Sequence, residues 1–139
     1  MLLKNKQIFI AEDNLQNRVI FQIMLVKHGA QVHFERWGNG SVFQLKRMGQ
    51  VDAIILDLML AYGVSGYDIF DQIRSVPEFA KVPIVAVSAT EPSLGIPKTR
   101  EKGFAGFIAK PIDDELFPQQ IAAIINGEQI WYSGTQSRA

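Results

Sequence analysis

Cysteine is absent from this 139-residue chain, which excludes disulfides, thiolate metal sites and cysteine nucleophiles and permits a reducing compartment. Net charge is absent as well. The 14 Lys and Arg balance 14 Asp and Glu, so no global field draws the chain to nucleic acid or to an anionic membrane, and partners must be chosen by local sites. Nowhere do about 18 apolar residues run together, the length a membrane-spanning helix needs. The opening MLLKNKQIFIAED has no long apolar run behind its basic residues, so neither a signal peptide nor a membrane span is expected, and the cytoplasm is the expected location. Internal repeats and low-complexity stretches are also missing.

What is present is an ordinary core. Apolar residues make up 47% of the chain, enough for one globular domain that buries roughly two-thirds of the surface its unfolded form exposes. Short apolar runs alternate with amphipathic stretches, the signature of a parallel sheet covered by helices on both faces. The runs are Ile8–Ala11, Gln31–Phe34, Ala53–Met59, Ile84–Ser88 and Gly106–Ala109. IFIA, AIILDLML and IVAVS are apolar on both alternating faces and read as central strands, whereas QVHFE alternates and GFIA is short, which suits positions nearer an edge.

Asn14 can cap a first helix in which Val19, Ile20, Ile23, Met24 and Lys27 follow helical spacing, with Gly29 at its left-handed end. A second helix is expected over Ser41–Met48, ended by Gly49, and a third from Ser65 or Gly66 to Arg74, ended before Pro77. Pro92, Gly95 and Pro97 predict a loop or broken turn through about Ile96, then a short helix over Lys98–Lys102. The last helix is expected to start near Asp113, with Leu116, Phe117, Ile121, Ile124 and Ile125 on its buried side and Pro118 either in its first turns or kinking it. The tail after Gly127 has no clear period. The domain is therefore bounded at residues 1–126, with 127–139 as a C-terminal tail.

In an open parallel sheet, ligands bind beyond the carboxyl ends of the strands. There the first strand ends in Glu12 and Asp13, the third carries Asp57, the fourth ends in Ser88-Ala89-Thr90 and the fifth ends in Lys110-Pro111. Asp57 stands out because it interrupts an apolar run where a buried strand would otherwise continue. Two unit charges about 4 Å apart repel by roughly 4 kcal/mol at an effective dielectric of about 20, so three carboxylates together call for a cation. Oxygen-only ligands with room for water and phosphate suit Mg²⁺. Pro111 restricts the peptide after Lys110 to a rigid geometry that can aim the ammonium at Asp57 or at a phosphoryl group on it, and Ser88 offers a hydroxyl to the same oxygens.

At IFIAEDN, AIILDLML, IVAVSAT and GFIAKPI, in that order, the chain resembles the receiver domain of two-component response regulators, from about Lys4 to Asn126. The resemblance implies a flavodoxin-like, doubly wound (βα)5 fold, a five-stranded parallel sheet of order 2-1-3-4-5 flanked by helices. It implies Asp57 as phosphoacceptor, Mg²⁺ held by Glu12, Asp13, Asp57 and the backbone carbonyl of Met59, and phosphoryl contacts from Ser88 and Lys110. Ser88 and Phe107 take the switch positions, while Met59 and Thr90 stand where side chains tune dephosphorylation. The implied partners are a sensor histidine kinase or histidine phosphotransfer protein, an unknown downstream protein, and a second copy through the fourth helix, fifth strand and fifth helix. Such a protein is a phosphoacceptor switch rather than a conventional enzyme.

Two departures from the family pattern stand out. DLMLAYGVSG has Ala61 where a proline is usual and an extra residue around Tyr62, and Pro92, Gly95 and Pro97 alter the start of the fourth helix. The alternative function is a phosphorylation-independent interaction or dimerisation module that keeps the receiver fold. A flavodoxin-like cofactor enzyme is disfavoured because AEDNLQN offers negative charge where a phosphate would have to be cradled. A dehalogenase-type phosphatase would want an acid where Met59 stands. The segment after Asn126 is too short for a helix-turn-helix output module, so the chain is expected to be a stand-alone regulator or one domain of something longer.

Overall fold

The computed structural model describes residues 1–134. Strands and helices alternate along the chain: β1 (Gln7–Ala11), α1 (Leu15–Lys27), β2 (Gln31–Glu35), α2 (Ser41–Met48), β3 (Ala53–Leu56), α3 (Gly66–Arg74), β4 (Ile84–Ser88), α4 (Pro92–Lys102), β5 (Gly106–Ala109), α5 (Leu116–Ile125) and β6 (Ile130–Tyr132). All strand pairs are parallel, in the order β2-β1-β3-β4-β5-β6. The architecture is the expected flavodoxin-like one. It carries six strands rather than five, because the tail adds β6 outside β5.

Period-two alternation sorts the strand side chains onto two cores. Phe9, Ala11, Ile54, Leu56, Ile84, Ala86 and Phe107 face one side, with Leu45 of α2 and Ile69, Phe70 and Ile73 of α3. Ile8, Ile10, Ile55, Val85, Val87 and Ile108 face the other, with Phe21 and Leu25 of α1 and Phe117, Ile121 and Ile124 of α5. Each of the Phe, Leu, Ile and Val side chains contributes about 1.5–3 kcal/mol on burial. Phe21 stacks on Phe117 at 5.5 Å, joining α1 to α5.

Helix ends follow local chemistry. The Asn14 side chain accepts from Asn17 N–H at 2.9 Å, and at the far end of α1 Ala30 N–H reaches Leu25 C=O while Gly29, at φ +97°, bonds Val26 C=O. Ser65 caps α3 through Tyr67 N–H. Asp113 Oδ1 takes the N–H groups of Glu115 and Leu116, both at 2.9 Å, so it caps α5 three residues ahead of the first helical residue, with Pro118 in the first turn.

Four expectations need correction. α4 is one continuous helix from Pro92, not a loop followed by a short helix. Pro92 is tolerated because it stands at the first helical position, and Pro97 removes one N–H but not the packing: Gly95 and Thr99 are buried, and the Thr99 hydroxyl donates to Gly95 C=O at 2.7 Å. β3 stops at Leu56 rather than Met59, since Leu58 C=O is claimed by Gly66 N–H as the chain turns. β5 is fully buried, not an edge, because β6 covers it. Leu116 is exposed, and Ile125 half-buried. In α1, Val19, Ile20 and Ile23 lie at the surface while Phe21 and Leu25 face the core, leaving the helix apolar on both sides.

Candidate functional site

The strand order reverses between β1 and β3, and the carboxyl ends of these strands carry the acids together. Asp57 lies one residue beyond β3, its N–H still held by Ala11 C=O at 3.1 Å, and it remains 8% exposed. Glu12 lies one residue beyond β1 and is 1% exposed. Glu12, Asp13 and Asp57 each present a carboxylate oxygen within 4.8 Å of the others.

Lys110, at the end of β5, crosses the strand ends to meet them. Its Nζ donates to Glu12 Oε1 at 2.6 Å and to Asp57 Oδ2 at 3.1 Å. The Lys110–Pro111 bond is cis. Burial pushes the Glu12 carboxyl above its ordinary 4.5, an effect Lys110 only partly offsets. Burial by itself would lower the Lys110 ammonium, but the combined pull of Asp57 and Glu12 outweighs it and holds the group above its ordinary 10.5.

The local backbone fixes the acids further. Asn14 N–H donates to Glu12 Oε2 at 3.1 Å, and Met59 N–H to Asp57 Oδ1 at 3.3 Å. Met59 is held by an antiparallel bridge to Ser65, with its side chain exposed. Gly66 makes this turn possible: a Cβ there would lie 2.2 Å from Asp57 C=O, so only glycine lets α3 start so close.

The other expected residues make separate contacts. Ser88 is wholly buried, with its hydroxyl 3.0 Å from Thr90 Oγ1 and accepting from Thr90 N–H at 3.2 Å. Phe107 is buried among the core side chains beneath α4, away from the acids' own contacts. Sequence reasoning missed Asn17 and Arg18. Asn17 Nδ2 reaches Glu12 Oε1 at 3.4 Å, and Arg18 Nη1 donates to the Glu12 and Asp13 carbonyls at 3.4 and 3.2 Å. The available signal was their place in the first turn of α1, one helical turn beyond the acids.

The loop after Asp57 is also distinctive. Tyr62 adopts φ 59°, uncommon for a bulky residue, and is 90% exposed with its ring 5.5 Å from that of Trp37.

The donor set is all oxygen, anionic and crowded, the chemistry that a hard divalent cation such as Mg²⁺ satisfies, and one ammonium cannot balance three carboxylates. The acidic cluster is therefore compatible with Mg²⁺.

The family model described as response regulator receiver domain matches residues 8–122. The protein PilH of Pseudomonas aeruginosa is 25% identical over 122 residues, covering 87% of this chain and 98% of PilH. Probable histidine kinase 6 of Oryza sativa is 25% identical over 144 residues, but the chain spans only 15% of that kinase. Among solved structures, the receiver domain of a sensor histidine kinase of Pseudomonas aeruginosa PAO1 is 26% identical with a TM-score of 0.77, covering 88% of this chain and 99% of that one. That structure holds a magnesium ion coordinated in its active-site cleft. No helix among the described residues is long and apolar enough to cross a membrane. With strand order, acidic cluster and family match in agreement, the chain belongs to the response regulator receiver domain family of two-component signalling.

Proposed function

We propose that the chain accepts a phosphoryl group on Asp57 from the phosphohistidine of a histidine kinase or phosphotransfer protein, and signals through a changed protein-binding surface. The observation that carries this reading is the Lys110 ammonium bridging Glu12 and Asp57 beside Asp13. Asp57 carries a largely buried strand-end carboxylate that keeps 8% exposure for an approaching phosphorus, and Lys110 Nζ and Met59 N–H donate to it.

In the transfer step, an Asp57 carboxylate oxygen attacks phosphorus in line as the phosphorus–nitrogen bond breaks. The electron pair returns to the imidazole nitrogen, which takes up a proton. Glu12, Asp13, Asp57 and the Met59 carbonyl would hold Mg²⁺, whose charge, when bound, offsets that of the transferred oxygens. Lys110 neutralises further charge on those oxygens. The added group brings nearly two negative charges, and Ser88, released from Thr90, and Lys110 can follow it, which biases the β4–α4 loop and the face beyond. The remaining expectations, Phe107 as a switch and Thr90 and Met59 as controls on phosphoryl lifetime, belong to the same reading.

Incubation with Mg²⁺ and phosphoramidate, followed by intact-protein mass, tests it. One phosphoryl group is expected on the wild type and none on Asp57→Asn. An unmodified wild type would favour the phosphorylation-independent module instead.

A further inference from the structure

β6 lies beyond residue 122, where the family match ends. It is a built contact, not a loose tail. Gly106, Phe107 and Ile108 pair in register with Ile130, Trp131 and Tyr132, and Ile130 N–H donates to Ala105 C=O at 3.2 Å. A Cβ on Gly106 would lie 2.4 Å from Ile130 C=O, so a glycine stands where the added strand crosses closest. Trp131 packs against the core that holds Phe107, and the Arg100 guanidinium of α4 covers its ring at 4.6 Å. One three-residue strand thus ties β5 to α4.

β5 also ends in the group that reads the acidic site. Lys110 lies two residues past the paired segment and is held at its far end by Glu12 and Asp57. Its N–H donates to Ser88 C=O at 3.0 Å, so β5 cannot shift without disturbing β4. No loop intervenes between Lys110 and the residues on which Trp131 rests. A strand of three half-buried residues is among the least stable units of a domain and yields to small biases.

We propose that β6 is a strap whose seating on β5 and under Arg100 depends on the charge at Asp57, so that phosphorylation loosens it and uncovers the β5 edge. This rests on Asp57 being the phosphoacceptor. The load path runs from the phosphoryl oxygens to Lys110, along β5, to Trp131. By linkage, removing the strap must alter phosphorylation in return.

The chain has two tryptophans, Trp37 and Trp131, so Trp37→Phe leaves Trp131 as the sole indole reporter. Acrylamide quenching of that indole is measured before and after Mg²⁺ and phosphoramidate, with intact mass taken on the same samples. Phosphorylation is expected to shift the seated-to-unseated ratio of the strap about two- to fivefold, the size of losing an exposed cation–π contact, read as a higher quenching constant, with no change in Asp57→Asn. Arg100→Ala, at an exposed position, and Gly106→Ala, which pushes on Ile130, should each raise quenching without phosphorylation while far-ultraviolet circular dichroism stays unchanged. A full mass gain with unaltered quenching overturns the strap and leaves the phosphoacceptor reading standing. No mass gain overturns both.

Discussion

Lys110 Nζ stands closer to Glu12 Oε1, at 2.6 Å, than to Asp57 Oδ2, at 3.1 Å. The ammonium is therefore engaged mainly by a carboxylate that does not accept the phosphoryl group in the proposed reaction. In the proposed reaction, a cation that takes over Glu12 would free the lysine for oxygens placed on Asp57 and so would couple metal occupancy to phosphoryl stabilisation through one side chain.

Lys110→Met should leave the buried Glu12 and Asp57 without their partner. Breaking a buried ion pair by removing one member costs about 3 kcal/mol or more, so urea unfolding in chelator should show a loss of that size. Excess Mg²⁺ should restore part of it. Equal stability with and without Mg²⁺ would argue that the acids do not bind the metal.

The two shifted groups place pH dependence at opposite ends of the range. Glu12 has a raised native pKa, so the native state keeps a proton that the unfolded chain releases near 4.5, and stability falls as pH rises from there through the native value. The Lys110 ammonium contributes fully below the unfolded value of 10.5, and its contribution is lost as pH climbs through the raised native pKa. Urea midpoints across pH should show Glu12→Gln flattening the acid limb and Lys110→Met flattening the alkaline one.

Gly95→Ala should be destabilising although alanine favours helices. The new Cβ would sit 2.5 Å from Phe107 Cε2, and Phe107 is fully buried and cannot swing away freely. Overpacking of this kind costs about 1–3 kcal/mol, against a helix-propensity gain of about 1. Adding Phe107→Leu should recover much of the loss in a double-mutant cycle. Additive effects would mean that α4 relaxes elsewhere.

The phosphoryl group on Asp57 is expected to be long-lived. Met59 is exposed beside Asp57 and cannot hold an attacking water by hydrogen bonding. Met59→Asn should hasten decay by about tenfold, since positioning a nucleophile is a large part of hydrolytic rate. Phosphate release from purified phosphoprotein measures this, and rapid release from the wild type would contradict it.

Much of the site was legible because strand ends are fixed by local pattern. IFIAED and GFIAK each stop an apolar run at a charged residue and Asp57 interrupts a third, and parallel pairing then brings those residues to one edge. Asn17 and Arg18 were not legible, since their bonds to Glu12 and Asp13 depend on where the first turn of α1 lands. α4 was misread because Pro92, Gly95 and Pro97 are unfavourable locally, and only burial of Gly95 and Thr99 against the sheet overrides that propensity.

The sequence by itself determined the parallel alternation of strands and helices and the meeting of Glu12, Asp13, Asp57 and Lys110 at one sheet edge, because periodicity and strand direction are local properties. Only the tertiary structure decided that Lys110 leans first on Glu12, that Tyr62 stands exposed against Trp37, and that the tail becomes a sixth strand. These depend on which backbones pass close enough to touch. The tail shows the reason most plainly: three residues carry too little pattern to announce a strand, and they form one because Gly106 leaves a bare edge for Ile130 to approach.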